Sequence, residues 1–352
     1  GSFSQEGVEL VTNGSFDTDS NWSGVGSNGF SISGGKLNLS DVAYAKSVAQ
    51  GNVTTVGKTY KVTFEVSDYV KGSVRVFLGG SATPIQVSNG VFTYYVTASA
   101  NTTIGIQTLD GNGTTLSIDN VSVKEVGQDW TFGTGWSVGE DKATVDNTVN
   151  ANLDQTCLTS GKIYKVSFEI SDLLSGGILV GDIVNPGAYD ATSNGSHTFY
   201  YTATNSTLRV RAYGNPCSIT NISVKEVGQN WTFNSPWEIG DNKAVCDTLN
   251  AYPNFQQSIG TSINKTYKLT YEVLDYSSGT VQFIIGNAGN RPQGQFRSAN
   301  GIYSETFTID SSTIDANKLF IRAGASGYTG SVTNISVIEI TDDTNLPRIN
   351  YE

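Results

Sequence analysis

The sequence predicts an all-β protein made of three tandem antiparallel β-sandwich domains. Three observations lead there: a threefold internal repeat, apolar residues that alternate with period two, and a strand-and-turn composition. Gly numbers 39 and Pro only 7, Met is absent, and Val, Ile, Phe and Tyr stand among many Ser and Thr. These side chains suit a pleated, half-buried surface.

The repeat is literal in places. SIDNVSVKEVGQDW (117–130) returns as SITNISVKEVGQNW (218–231) and as SVTNISVIEI (331–340). KTYKVTFEVSD (58–68), KIYKVSFEISD (162–172) and KTYKLTYEVLD (265–275) form a second repeated element; NGVFTYYVTA from Asn89, NGSHTFYYTA from Asn194 and NGIYSETFTI from Asn300 form a third. The starts recur too: WTFGTGWSVGEDKATV from Trp130 matches WTFNSPWEIGDNKAVC from Trp231, with a looser copy from Asn21. A period of about 100 residues exceeds the ~20 to 50 of a solenoid repeat and fits a small self-contained domain. The expected domains are residues 1–127, 128–228 and 229–343, with 344–352 a C-terminal linker to a downstream region. Val126 and Val227 are each followed so closely by the next Trp that the domains should sit end to end with little freedom.

Within each repeat the strands alternate. Tyr60, Val62, Phe64 and Val66 point one way while Lys61, Thr63, Glu65 and Ser67 point the other, and Gly, Asn and Asp mark the turns. About eight short strands in about 100 residues predict a two-sheet antiparallel sandwich. In the closing element Leu116 and Ile118 share one parity and Val121 and Val123 the opposite one. The apolar face therefore switches across Asp119-Asn120, and again at Thr220-Asn221 and Thr333-Asn334, which predicts a β-bulge at each place.

Charge and motifs narrow the function. With 21 Lys and Arg against 32 Asp and Glu, the net charge is -11, which argues against nucleic acid and anionic membrane surfaces as partners. No apolar run reaches the ~20 residues of a membrane span, so no membrane insertion is expected. No secretory leader is recognisable, and the opening Gly1-Ser2 reads as a cloning scar. Cys157, Cys217 and Cys246 lack metal-type spacing; they read as small buried hydrophobes, with a Cys157–Cys217 disulfide as the alternative. There is no GxSxG, P-loop, HExxH or CxxC, and the single His197 reads as a solvated turn residue, so no enzyme is expected. Of Trp22, Trp130, Trp136, Trp231 and Trp237, the recurring Trp136 and Trp237 read as core.

The residues suggest a binding face more readily than an active site. If Tyr60, Val62 and Phe64 face the core, Glu65 lies outside, as do Glu169 and Glu272 in the same register. TLRVRAYG sends Arg209, Arg211 and Tyr213 outward; KLFIRAG sends Phe320 and Arg322; TIGIQTLDG sends Gln107; SVRVFLG adds Arg75 and Phe77; Gln282 joins the third repeat. Sugars ask for this mixture, aromatic faces for C–H surfaces and planar guanidinium, amide and carboxylate groups for paired hydroxyls. The alternative for each residue is a solvated sheet whose cross-strand pairs contribute only ~0.2 to 1 kcal/mol each.

LVTNGSFDTDSNW (10–22), followed by KTYKVTFEV and LSIDNVSVKEV, resembles the jelly-roll carbohydrate-binding modules of families 4, 9 and 22, and more closely the tandem sandwich modules of phage tail-fibre and other virion proteins. TNLPRINYE (344–352) is similar to the segment that follows such modules in tail fibres. The resemblance implies jelly-roll sandwiches, non-catalytic attachment to a polysaccharide or oligosaccharide, and location on a virion or at an extracellular or cell surface. It also implies a chain monomeric in isolation whose parent is a trimeric fibre. A bacterial adhesin, or modules that serve only as rigid spacers, are the alternatives. In the sugar-binding families a structural calcium joins the N-terminal segment to the last strand, and Asp17 and Asp119 match its ligands. Thr220 and Thr333 replace the second aspartate in the other repeats, so calcium is expected in the first alone.

Overall fold

The computed structural model describes residue 3 and residues 5–146, 150–214, 216–286, 291–313 and 315–341. The C-terminal segment 344–352 lies outside the described residues. Every regular element among those described is a strand, so the expected all-β class holds. The chain divides into two compact units, residues 1–160, 167–198 and 204–223, and residues 161–166, 199–203 and 224–352.

The first repeat contains β1 (Phe30–Ser33), β2 (Lys36–Val42), β3 (Ser47–Gln50), β4 (Thr59–Lys71), β5 (Val74–Leu78), β6 (Ser81–Ala82), β7 (Gly90–Thr97), β8 (Ile104–Thr108) and β9 (Thr114–Val126). They form two antiparallel sheets, β1-β2-β9-β4-β7 and β3-β8-β5-β6. Chain order alternates between the sheets as it does in a jelly roll, closing the core from both sides. Tyr60, Val62, Phe64 and Val66 face inward against Val74, Val76, Ile104 and Ile106, all buried. Before β1, the N-terminal segment runs antiparallel along the second half of β9: Gly7 N–H donates to Glu125 O, Leu10 N–H to Val123 O, and Val121 N–H to Gly14 O. Its Val11, Phe16 and Trp22 complete the core.

The second repeat contains β10 (Trp130–Phe132), β11 (Trp136–Gly139), β12 (Lys142–Val145), β13 (Ala151–Thr156), β14 (Ile163–Ser171), β15 (Gly176–Asp182), β16 (Tyr189–Ala191), β17 (Gly195–Thr202), β18 (Thr207–Gly214) and β19 (Cys217–Val227). Its sheets are β11-β12-β19-β14-β17 and β10-β13-β18-β15-β16. The third contains β20 (Trp231–Phe233), β21 (Glu238–Gly240), β22 (Lys243–Thr248), β23 (Asn254–Ser258), β24 (Thr266–Ile285), β25 (Gly301–Thr308) and β26 (Lys318–Glu339).

Here the expected pair of separate sheets gives way to one seven-stranded sheet. β24 and β26 run unbroken through both layers and pair along their length. Both halves of β24 still reach one core, Leu269, Tyr271 and Val273 from the first and Val281, Phe283 and Ile285 from the second. The corner is possible because Gly279 has φ 76° and a Cβ there would lie 2.2 Å from the Gly327 carbonyl oxygen.

The bulge read from the parity switch is present. Thr63 pairs with Ser122 and Glu65 with Asp119, so Asn120 and Val121 together oppose Phe64. Thr270 pairs with Ser336 and Glu272 with Thr333, repeating the feature at Asn334. Asn120, Asn221 and Asn334 all adopt left-handed φ, 52°, 54° and 51°, a conformation Asn tolerates better than most residues. The repeated words also carry repeated ion pairs: Lys36–Asp68, Lys142–Asp172 and Lys243–Asp275 at 2.9, 3.3 and 2.7 Å, and Lys58–Glu125, Lys162–Glu226 and Lys265–Glu339 at 3.1, 3.2 and 3.0 Å.

All three cysteines are free, which overturns the disulfide alternative. Cys217 and Cys246 are the buried hydrophobes expected, and burial pushes their thiols up, to about 11 and about 12. Cys157 is exposed instead, because it follows the end of β13. Trp136 and Trp237 are buried as read, and so are Trp22 and Trp130.

Candidate functional site

The ten candidate residues do not form one face. Glu65, Glu169 and Glu272 lie on β4, β14 and the first half of β24, in the layer with the bulge. Each accepts a hydrogen bond from the bulge asparagine of its own repeat: Asn120 Nδ2 to Glu65 at 3.1 Å, Asn221 to Glu169 at 3.1 Å, and Asn334 to Glu272 at 2.8 Å. Grouping them with the arginines is therefore a correction: Arg75, Gln107, Arg209, Arg211 and Tyr213 stand on the opposite sheet, and Gln282 and Arg322 on the second half of β24 and the first half of β26. Alternation identifies the outside of a strand, and in a sandwich each of the two sheets has an outside.

On that opposite sheet the side chains do come together. In the first repeat β5 pairs with β8, and Arg75 donates to Gln107 Oε1 from Nε at 3.1 Å and from Nη2 at 2.8 Å. The Phe77 ring lies over Gly105, where a Cβ would be 2.1 Å from Phe77 Cζ.

The second repeat has the densest polar surface. Arg209 on β18 meets Asp154 on β13 through two parallel bonds, 2.9 and 2.6 Å, and the carboxylate raises the guanidinium pKa further. A recess of about 630 Å³ opens beside this pair, with Asp129, Thr131, Thr156 and Thr207 in its walls. Arg211 follows on β18, between Asn152 and Leu179 in register. Its Nε and Asn152 Oδ1 have no hydrogen-bond partner among the described residues. Tyr213 closes the row, its hydroxyl donating to Asp190 at 2.8 Å, and that carboxylate is the first cause of its raised pKa.

In the third repeat Gln282 is not the outer-face residue expected: the segment from Gln293 to Arg297 bridges to β24 and covers it, leaving it 3% exposed. There it donates to Gly294 O at 3.0 Å and accepts from Arg322 Nη2 at 2.7 Å. Arg322 lies over the Tyr252 ring at 4.9 Å, and its Nε is buried without a partner among the described residues. Burial first, then the charge of Arg291, lowers its pKa. Tyr252 was not among the sequence candidates. It sits before β23, 48% exposed and at φ 67°, an unusual backbone for an aromatic residue. Its signal was the loop word Ala251-Tyr252-Pro253, which strand alternation does not reach.

His197 is not a solvated turn residue. Its ring stacks on Phe168 at 5.3 Å, Nδ1 is 3.3 Å from the Tyr189 hydroxyl and Nε2 is 2.9 Å from Ser193 O. The calcium candidates approach one hairpin. Asp17 accepts from Ser15 at 2.6 Å, and its Oδ1 faces Gly35 between β1 and β2. Asp119 accepts the Asn120 N–H at 2.6 Å, and its charge reaches Lys36 in that hairpin. Among the described residues no three His, Cys, Asp or Glu gather as a metal-binding group.

No protein-family model matches the chain, and no curated protein matches it. Among solved structures it is similar to the N-terminal tandem CBM22-1-CBM22-2 domain of Paenibacillus barcinonensis Xyn10C, at 11% identity and TM-score 0.25, covering 64% of this chain and 100% of that one. It is also similar to a triple jelly roll from the turret of an archaeal virus, at 14% identity and TM-score 0.22, covering 88% and 87% of the two chains. A chain of Sulfolobus Turreted Icosahedral Virus gives 11% identity and TM-score 0.20, with 86% and 88% covered.

Proposed function

We propose that this chain is a non-catalytic carbohydrate-binding array of three jelly-roll modules, carried on a virion or an extracellular surface, that attaches its parent protein to polysaccharide. The observation that carries this reading is the row on β13 and β18: the Arg209–Asp154 fork beside an open recess, then Arg211, then Tyr213. Planar charged groups at fixed spacing beside a phenol can hold adjacent hydroxyls and stack on a sugar ring. Tyr252 and Arg322, the latter held from behind by the buried Gln282, would act likewise in the third module. Binding through such shallow faces should be weak, roughly 10 µM to 1 mM. A glycan array that includes bacterial surface polysaccharides tests it.

A second reading, rigid spacer modules of a fibre or adhesin, is favoured by one observation. The Arg75–Gln107 and Arg209–Asp154 groups already satisfy each other, as a solvated sheet requires.

We also propose a structural calcium in the first module at Asp17 and Asp119, both of which approach the Gly35–Lys36 end of one hairpin. Two carboxylates supply part of the six to eight oxygens calcium needs, and backbone carbonyls would supply the rest. The ion would tie the N-terminal segment to β9.

A further inference from the structure

Where β9 passes into β10, the N-terminus closes a pocket. Phe3 is 0% exposed, its ring centroid 5.3 Å from that of Trp130 and 6.4 Å from that of Phe132. Gly127 N–H donates to the Phe3 carbonyl at 3.2 Å. Three residues on, Glu6 bridges Lys61 at 2.6 Å and Lys124 at 2.9 Å. After another three, Glu9 accepts from the Ser122 hydroxyl and the Val123 N–H. A Phe-x-x-Glu segment is thus held by an aromatic pocket and a pair of lysines.

The passage from β19 to β20 repeats the receptor without the plug. Gly228, Trp231, Phe233 and Ile239 replace Gly127, Trp130, Phe132 and Val138, with the same packing. A Cβ on Gly127 would lie 2.9 Å from Phe132 and 3.3 Å from Val138; one on Gly228 would lie 3.2 Å from Phe233 and 2.2 Å from Ile239. The recess these residues line has a volume of about 630 Å³. Val126, Gly127 and Trp130 are buried, whereas Val227, Gly228 and Trp231 are only partly so. The two lysines recur in the sequence: Lys165 and Lys225 take the places of Lys61 and Lys124, neither forms an ion pair among the described residues, and the Lys165 ammonium lies over the Tyr200 ring at 5.8 Å. In the last repeat Ile338 replaces the second lysine, so pocket and pair recur together only here.

We propose that this recess and lysine pair dock an extended segment of another polypeptide chain carrying a Phe-x-x-Glu sequence. The aromatic ring enters beside Trp231 and Phe233, its carbonyl accepts the Gly228 N–H, and the carboxylate sits between Lys165 and Lys225. Phe3 and Glu6 show the chemistry at the equivalent place in the same chain, and the two lysines supply the charge complementarity.

The test uses the full chain and the peptide GSFSQEGVELV with a photoreactive benzoylphenylalanine in place of its Phe. Saturable cross-linking within residues 228–239 is expected. The unlabelled peptide should compete with the cross-linking, and its competition should weaken about fivefold or more when its Phe is Ser. K165E/K225E should weaken binding of the photoreactive peptide by a similar factor, and a photoreactive peptide with Lys in place of its first Glu should recover binding to the double variant. No saturable cross-linking, cross-links confined to the Trp130 pocket, or unchanged affinity in K165E/K225E would overturn the proposal. Lys225 is exposed, whereas Lys165 is half-buried with its ammonium over the Tyr200 ring, so K225E alone is measured beside the double variant with a melting curve for each. Unchanged affinity in a folded K225E would overturn the proposal as well.

Discussion

Glu6 shows how much attachment one exposed side chain can organise. Its hydrogen bonds to Lys61 and then Lys124 hold the carboxyl at about 2, against an ordinary 4.5. A depressed folded-state pKa contributes stability that is complete above 4.5 and is lost as pH falls towards 2. The bridge is about one-third exposed, so water and salt screen it and its contribution is small. The expected sign is local: between pH 4.5 and 2 the N-terminal segment should loosen before the sandwich melts, shifting Trp130 emission to the red, and Glu6→Gln should flatten that step. Trp130 emission unchanged down to pH 2 would contradict it. Phe3 has the larger share. As a fully buried aromatic side chain, its replacement by Ala should cost about 3 kcal/mol or somewhat less, a terminal segment being able to collapse, as measured by urea unfolding.

At the scale of one element, the bulge explains why the same words end each repeat. Asn120, Asn221 and Asn334 each supply a left-handed backbone and an amide for the glutamate of the neighbouring strand. Asn334→Ala loses both and should cost about 2 kcal/mol, whereas Asn334→Gly keeps the backbone and should cost about 1 kcal/mol. Equal costs in urea titrations would deny the backbone its part. This bulge was legible beforehand because a parity switch in apolar residues has few other physical causes. The placement of Glu65 was not, since alternation is the same for strands of both sheets. Nor was the unbroken course of β24 and β26, which depends on how closely Gly279 and Gly327 approach across a corner. Of the candidate face, the strand residues Arg75, Gln107, Arg209, Arg211, Tyr213 and Arg322 were readable from period two. Asp154, Asn152 and Asp190 emerge only from register, and Tyr252 only from the path of a loop.

For the whole molecule, the threefold repeat leads us to propose three independently folding domains. Residues 128–228 expressed alone should melt cooperatively as a β-rich monomer, though less stably than in the full chain because Phe3 is absent from the Trp130 pocket. A fragment without a cooperative melt would reject the three-domain reading. Calcium should raise the melting temperature of residues 1–127 alone, since Asp17 and Asp119 have no counterpart pair in the other repeats; an equal response from all repeats, or none after chelation and calcium return, would count against that site. The central claim is that the outer face of the β13–β18 sheet holds glycan, and one paired measurement addresses it. Binding of the best array ligand to the full chain, to Arg211→Ala and to Tyr213→Ala is followed by titration calorimetry, alongside each protein's melting curve. The expected result is affinity reduced by about tenfold or more in both variants, with melting temperatures within a few degrees of the parent. Undiminished binding in both variants, or no glycan bound by the parent at millimolar protein, would contradict it.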